Sequence, residues 1–177
     1  MYGVVHTSKV KATKVGHIYS VVSAEDIQNG SVGYVGDLKE NETEVREFLK
    51  PTTELLPGEL AIIATPELIY NEDRMASGSL GKFINEKGLA MVAIPLEKGD
   101  ELEISTNMID ALATKPVKGN YLVPQNGSYK LKEQSSKPSS GAYAKIDYLK
   151  TSGVATFVDS TGKKAGNVYD LVHITLK

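Results

Sequence analysis

The sequence predicts a mainly β fold, built as one small β-barrel or as two small β units with one or two short helices. Short segments rich in Val, Ile and Tyr recur along the chain, separated by Gly, Pro, Asn and Asp, as is typical of strands joined by tight turns. One segment, residues 79–88, has apolar residues at helical spacing and ends in Lys-Gly. The 177 residues, 41% of them hydrophobic, suffice for one domain or for one domain with a small appendage.

Charge divides the chain into three blocks. Residues 1–24 carry three Lys and no acid, residues 25–114 carry 18 acids against seven bases, and residues 115–177 carry ten Lys against four acids. From residue 115 onward acids become rare and strands alternate with soft loops, and we predict a β-barrel-like domain over residues 1–114, with a short helix near 79–88, and a basic C-terminal β subdomain over 115–177. Charge asymmetry of this kind bears on partners and assembly rather than on fold.

In the first half of the chain, near period-two spacing of small or apolar residues in Lys9–Val15 predicts a strand. The Asn29-Gly30 pair, which tolerates positive φ, predicts a tight hairpin. The Glu-rich stretch 37–50 predicts a solvated turn or a short helix. Further strands are predicted at residues 18–22, 31–36, 60–64 and 90–96.

Residues 97–103 contain four carboxylates, which raises the question of an acid/base or metal site. Glu101 and Glu103 alternate with apolar residues, so a strand here would turn both acids to one face. Asp100 follows a Gly at a turn position, where Asp bonds its own backbone. We therefore predict a hairpin with one wet face over residues 92–105, with an adventitious divalent cation as the alternative. Replacing Asp100 with Ala should cost about 1 kcal/mol.

Beyond this stretch, residues 106–113 predict one or two helical turns, and strands alternate with soft loops. The tetrapeptide Gln-Asn-Gly-Ser occurs at 28–31 and again at 125–128. An internal duplication and chance reuse of a good turn both remain open. Strands in the C-terminal part are predicted at residues 121–123, 129–133, 142–150, 154–158 and 169–176.

Motifs of known chemistry are missing from the sequence. It has no Cys, and its histidines, His6, His17 and His173, show no zinc-ligand spacing. The apolar neighbours of His173 predict a structural role for it. There is no G-x-S-x-G, no G-x-G-x-x-G and no complete phosphate loop. We predict no catalytic, cofactor-binding or metal-binding residues, no specific nucleic-acid readout and, since no apolar run approaches about 18 residues, no membrane span.

The stretch from Leu80 to Ser105 consists of a predicted short helix, a strand, a Gly-Asp turn and a strand. It resembles small β-rich proteins of tailed bacteriophages, the capsid decoration proteins (head auxiliary or head fibre base proteins). Residues 21–31 and 64–70 are similar to parts of the same proteins, so the likeness covers residues 18–110. The resemblance implies a non-enzymatic virion protein, made in the host cytoplasm, that decorates or cements a capsid. Its implied partners are its own copies and the major capsid protein.

The basic N-terminal block is the predicted partner interface, formed by Lys9, Lys11 and Lys14 with Tyr2 and Tyr19. Attraction between this block and the acidic middle of another copy would give head-to-tail contacts, from which rings and lattices arise. We therefore expect assembly to weaken as salt rises from about 0.05 to 0.5 M. Neutralising the three lysines together should weaken it too.

Two other function classes remain open. One is a small-molecule or glycan-binding β-barrel module with Tyr side chains as stacking platforms, which a concave pocket lined by Tyr would favour. The other is a hydrolase with a loop-built carboxylate site of Glu67, Glu72 and Asp73. A pair of buried carboxylates with raised pKa values would favour the hydrolase.

Overall fold

The computed structural model describes residues 2–51, 55–67, 81–158 and 164–177, and side chains within these ranges except for residues 154–168. The fold is mainly β, which confirms the predicted class. The described part contains a closed barrel, a seven-stranded sheet, the helix α1 (Lys11–Val15) and a 3₁₀ turn at Thr106–Met108. Its strands are β1 (Val5–Lys9), β2 (Tyr19–Val22), β3 (Val32–Leu38), β4 (Val45–Leu49), β5 (Ala61–Ile63), β6 (Met91–Pro95), β7 (Glu101–Ser105), β8 (Ile109–Asp110), β9 (Tyr121–Gln125), β10 (Ser128–Gln134), β11 (Ala144–Val158) and β12 (Lys164–Leu176).

The barrel is built from five strands in the order β2-β4-β3-β5-β6, with β6 closing back onto β2. The β2–β4 pair is parallel and the other pairs are antiparallel. The continuous apolar run of β5 is buried along its whole length, as its composition predicts. Inside the barrel, Val21, Phe48, Ile63 and Met91 pack into a small core.

The second sheet has the order β1-β7-β12-β11-β9-β10-β8. A large core cluster joins it to the barrel, because Ile62 and Ile94 of the barrel belong to the same cluster as Leu102 and Ile174 of the sheet. The predicted boundary at 114/115 cuts through this sheet, since β1 and β7 lie on one side of the boundary and their neighbour β12 on the other.

The segment 92–105 contains the two predicted strands but not the predicted hairpin, because β6 belongs to the barrel and β7 to the sheet. The turn that links them is held by Asp100, which is only 3% exposed. One carboxylate oxygen of Asp100 accepts the Glu97 N–H at 2.7 Å, and the other accepts the Lys11 N–H at 2.9 Å. Leu102 is buried, as the alternation of apolar and acidic residues predicts.

The strand predicted over Lys9–Val15 is wrong beyond Lys9, because β1 ends at that residue and Lys11–Val15 forms helix α1. The helix ends at Gly16, whose φ of 71° is the left-handed conformation common at helix C-termini. At the N-terminus, Val10 offers no side-chain cap, and the carboxylate of Asp100 takes that role by accepting the Lys11 N–H. A partner distant in sequence therefore stabilises a helix that local spacing does not indicate.

The predicted helix at 79–88 is wrong over residues 81–88, which form turns and one isolated β-bridge; residues 79 and 80 lie outside the described part. Ile27 and Asn85 exchange two backbone hydrogen bonds of 2.9 Å, and this pairing needs extended backbone. The predicted stop at Gly88 does mark a turn, with φ of 74°.

Two further predictions from the first half need correction. The stretch 37–50 is a solvated turn only in its middle, because β3 runs to Leu38 and β4 begins at Val45. The turn at Asn29-Gly30 does not make a hairpin, since β2 and β3 are not neighbours in the barrel. Instead the Asn29 side chain is buried and bonds both the N–H and the carbonyl of Thr65.

In the second half, the predicted helical turns at 106–113 correspond to the 3₁₀ turn, which is followed by β8. The strands predicted at 142–150 and 154–158 are one continuous strand, β11. The second Gln-Asn-Gly-Ser does form a two-residue hairpin, between β9 and β10. The two copies of the tetrapeptide therefore occupy different structural contexts.

Candidate functional site

Two of the predicted interface lysines are engaged within the chain. Lys9 Nζ lies 2.7 Å from a carboxylate oxygen of Glu101, and Lys11 Nζ lies 2.5 Å from one of Glu97. These hydrogen bonds raise the pKa of both lysines above the usual value. The basic block thus pairs with the acidic middle of its own chain, through exposed ion pairs of the kind that add little stability.

The other predicted interface residues lie on separate elements. Lys14 is exposed in the last turn of α1 and makes no ion pair with the described residues. Tyr2 is 40% exposed and its N–H donates to the Gly81 carbonyl at 3.0 Å. Tyr19 lies on β2 of the barrel, with its hydroxyl 2.9 Å from His17 Nε2. Lys9 therefore lies in the sheet, Lys11 and Lys14 in the helix and Tyr19 in the barrel, while Tyr2 precedes β1.

A row of four side chains, which sequence reasoning missed, crosses one face of the seven-stranded sheet. The pairing register puts His6 of β1 opposite Glu103 of β7. On its other side Glu103 faces His173 of β12, which in turn faces Tyr148 of β11. Directly opposite residues share a face of the sheet. Local spacing gives no sign of this row, because it depends on the register of four strands.

Glu103 is the centre of the row. One of its carboxylate oxygens lies 3.1 Å from His6 Nδ1, and the other lies 2.5 Å from Lys150 Nζ. The Tyr148 hydroxyl donates to Glu103 at 3.4 Å, and the Tyr148 ring stacks on His173 with centroids 4.6 Å apart and an interplanar angle of 6°. His173 Nδ1 is buried without a hydrogen-bond partner among the described residues.

The electrostatics of Glu103 favour its charged form. Burial acts to raise its pKa, but hydrogen bonds and charges from Lys150 and His6 together outweigh burial and hold the pKa below the usual value of 4.5. The pKa of Glu101 is lowered as well, chiefly by its hydrogen bond with Lys9. Because both shifts favour ionised carboxylates, the ion pairs of Glu101 with Lys9 of β1 and of Glu103 with Lys150 tie β1, β7 and β11 together.

The row lacks the raised carboxyl pKa values that would favour a hydrolase. Of the carboxylates predicted for that alternative, Glu67 is half-buried and accepts a hydrogen bond from Asn29 Nδ2 at 3.1 Å. Glu72 and Asp73 lie outside the described residues. Within the described ranges, no cluster of three or more His, Asp or Glu side chains is arranged to hold a metal ion.

A cleft of about 530 Å³ opens on the barrel and is lined by residues from all five of its strands. The strands contribute Tyr19, Tyr34, Arg46, Ala61 and Pro95 in chain order. The connection between β4 and β5 adds Glu59. This is the concave, Tyr-lined feature that the binding-module alternative calls for.

A second feature stands out in the pairing of β11 with β12. Of the described strands, neighbours flank this hairpin only near its base, where β9 pairs with residues 144–145 and β7 with residues 171–175. From the Ser152–Tyr169 pair to the Val158–Lys164 pair, the two strands pair only with each other in the described part of the chain. We call residues 153–158 and 164–168 the ribbon.

In the described ranges, no helix has the length and apolar character needed to cross a membrane. Comparison with protein-family models, curated proteins and solved structures finds no match to this chain.

Proposed function

We propose that this protein is a non-enzymatic structural component of a tailed-phage virion. Made in the host cytoplasm, it decorates or cements the capsid by associating with its own copies and with the major capsid protein. The resemblance of residues 18–110 to capsid decoration proteins motivates the virion part of the proposal. The ribbon is the observation that carries the assembly part.

The ribbon supports association because two isolated strands are marginally stable in water. It extends five register pairs beyond Ser152–Tyr169, from Gly153–Val168 to Val158–Lys164, which is roughly 20 Å at about 3.3 Å per residue. Over this length both outer edges keep backbone donors and acceptors that no described strand uses. A strand of another chain can pair with such an edge.

The sequence of the ribbon fits the same role. Its first strand includes Val154-Ala-Thr-Phe-Val158, a run of apolar and β-branched residues without any charge. Short uncharged runs of high β propensity favour pairing between chains when they form an edge. The base of the ribbon is anchored, because Tyr169 is buried in a small cluster with Val4 and Leu171.

Shortening the ribbon tests whether it mediates self-association. Replacing residues 153–168 with Asn-Gly would close the hairpin directly on the Ser152–Tyr169 pair with a two-residue turn. Sedimentation velocity should show concentration-dependent oligomers for the intact chain and a monomer for the shortened chain.

The matched control replaces Asn126-Gly127, the turn between β9 and β10, with Asp-Gly, which keeps a favourable turn and should leave association unchanged. The thermal midpoint checks that the shortened chain is folded. The assembly role of the ribbon would be contradicted if the shortened chain formed oligomers as readily as the intact chain. It would also be contradicted if the intact chain were monomeric at millimolar concentration.

A further inference from the structure

We propose that the barrel cleft binds a neutral oligosaccharide, with Tyr34 as the stacking surface and Arg46 and Glu59 as hydrogen-bonding groups. This inference goes beyond the capsid role and does not depend on it. The cleft volume of about 530 Å³ lies within the range of ligand clefts, roughly 300–1,000 Å³. Because every barrel strand contributes to the lining, the cleft is held by a rigid scaffold before any ligand arrives.

Three polar groups around the cleft have hydrogen-bonding capacity left. The Tyr34 hydroxyl has no partner among the described residues, although the side chain packs against the large core cluster. Arg46 donates one hydrogen bond, to the Gly36 carbonyl at 3.2 Å, and its guanidinium has five N–H donors. One oxygen of Glu59 accepts the Leu56 N–H at 2.8 Å, which leaves the other for a ligand. Donors and acceptors beside an aromatic face suit a polyhydroxylated ring, whose hydroxyls both donate and accept.

The charges of the cleft disfavour an anionic ligand. Among the residues that the structure describes, Arg46 and Glu59 are the ionisable lining residues besides the two tyrosines, and their opposite charges cancel. An adjoining cleft of about 650 Å³ shares Tyr19 and Arg46 and adds Glu44. In the described lining of the two clefts together, two carboxylates stand against one guanidinium, which disfavours an acidic sugar or a phosphate.

An extended peptide is the competing ligand and an arm of the test, because peptides that bind β-proteins in extended form commonly add a strand to an open sheet edge. In the described register β3 pairs with β5 only at Val32 and Gly33, so the edge of β3 at Tyr34 has no β5 partner. Tyr19 and Arg46 form a wall common to both clefts, with Arg46 Cζ 5.9 Å from the centroid of the Tyr19 ring. A ligand of two or more linked rings can cross this wall, which is why we infer an oligosaccharide rather than a single sugar.

Isothermal titration calorimetry on the full chain tests the inference with cellotetraose, maltotetraose and N-acetylated chitotetraose, each up to about 10 mM. At least one of these neutral sugars should bind. Tyr34→Leu keeps an apolar side chain against the core and should weaken that binding by about tenfold or more, through loss of the stacking ring. Arg46→Gln should weaken it as well.

Tyr121→Leu is the matched control, because Tyr121 is also a half-buried strand tyrosine but belongs to the other sheet, against Tyr143. It should leave the affinity unchanged. Binding by none of the three sugars would overturn the proposal, as would equal affinity of the wild type and Tyr34→Leu. Tighter binding of tetragalacturonate or of a tetrapeptide than of the neutral sugars would also overturn it.

Discussion

Asp100 links three parts of the chain through one buried carboxylate. It closes the turn between β6 and β7 by accepting the Glu97 N–H, and it caps α1 by accepting the Lys11 N–H. Hydrogen bonds to an ionised acceptor are stronger than neutral ones, and leaving buried N–H groups unpaired is costly. The sequence indicated the turn role of this residue but not the helix cap.

We expect Asp100→Ala to lower the free energy of unfolding by about 2 kcal/mol, more than the turn bond alone would give. Asp100→Asn keeps one accepting oxygen but turns an NH₂ group towards the other N–H, so it should be destabilising as well. Urea unfolding followed by circular dichroism measures both. Glu97→Ala is the control, since its carboxylate makes only an exposed ion pair with Lys11. If Asp100→Ala lowered the free energy of unfolding no more than the control does, the double role of Asp100 in the turn and the helix cap would be refuted.

Glu103 should make the stability of the sheet depend on acid pH. Since its folded-state pKa lies below the usual 4.5, its charged form stabilises the fold above that pH, and the contribution is lost as pH falls through the folded-state pKa. Glu103→Gln should therefore lower the thermal midpoint at pH 7, and the difference from wild type should shrink as pH falls below 4.5. Glu40→Gln, at an exposed turn, is the control. A difference that stays constant with pH would contradict this view of the row.

At the scale of the elements, Glu133 of β10 organises the connection between β8 and β9. Its side chain is fully buried, and its carboxylate accepts the N–H groups of Leu112 and Val117 and the amide of Asn120, at 2.7 to 2.9 Å. Glu133→Gln would turn an NH₂ group towards one of these donors and should cost about 3 kcal/mol. The same substitution should accelerate the hydrogen exchange of the backbone amides in residues 111–120. Lys132→Gln, the exposed neighbour, should change neither quantity.

Local pattern predicted the elements whose burial follows from their own residues. The apolar run of β5 and the alternation around Leu102 in β7 each identify a strand and its buried face. The predictions failed where a distant partner decides the backbone: Asp100 caps α1, and Ile27 holds Asn85 in a bridge. The sequence also indicated short strands but not their order in the sheets, so the turn between β6 and β7 was predicted to be a hairpin turn.

The candidate sites were predictable only in part, for the same reason. A Tyr-lined concave pocket was among the sequence-based alternatives, but its members come from five strands whose order local pattern does not encode. The Glu103 row requires the register of four strands, and its histidines have no spacing that indicates it. The lysines predicted for an interface were correctly seen as a basic block, but Lys9 and Lys11 find acidic partners in their own chain.

At the scale of the whole molecule, the barrel and the sheet share one large core, and the two strands of the ribbon pair with no other described strand. Since Lys9 and Lys11 are paired within the chain, Lys14 is the member of the predicted basic interface without an ion pair among the described residues. We therefore expect the ribbon to contribute more to docking than the basic block. Salt should still weaken docking, because screening reduces what the exposed charges add.

Co-sedimentation with purified tailed-phage capsids tests the central proposal most directly, that the ribbon docks this protein on a capsid lattice. The assay compares the intact chain, the chain with residues 153–168 replaced by Asn-Gly, and the triple variant Lys9→Gln, Lys11→Gln, Lys14→Gln, from about 0.05 to 0.5 M salt. We predict that the intact chain pellets with the capsids, that the triple variant pellets less as salt rises, and that the shortened chain stays in the supernatant at every salt concentration. An intact chain that never pellets, or a shortened chain that pellets as well as the intact one, would contradict the account.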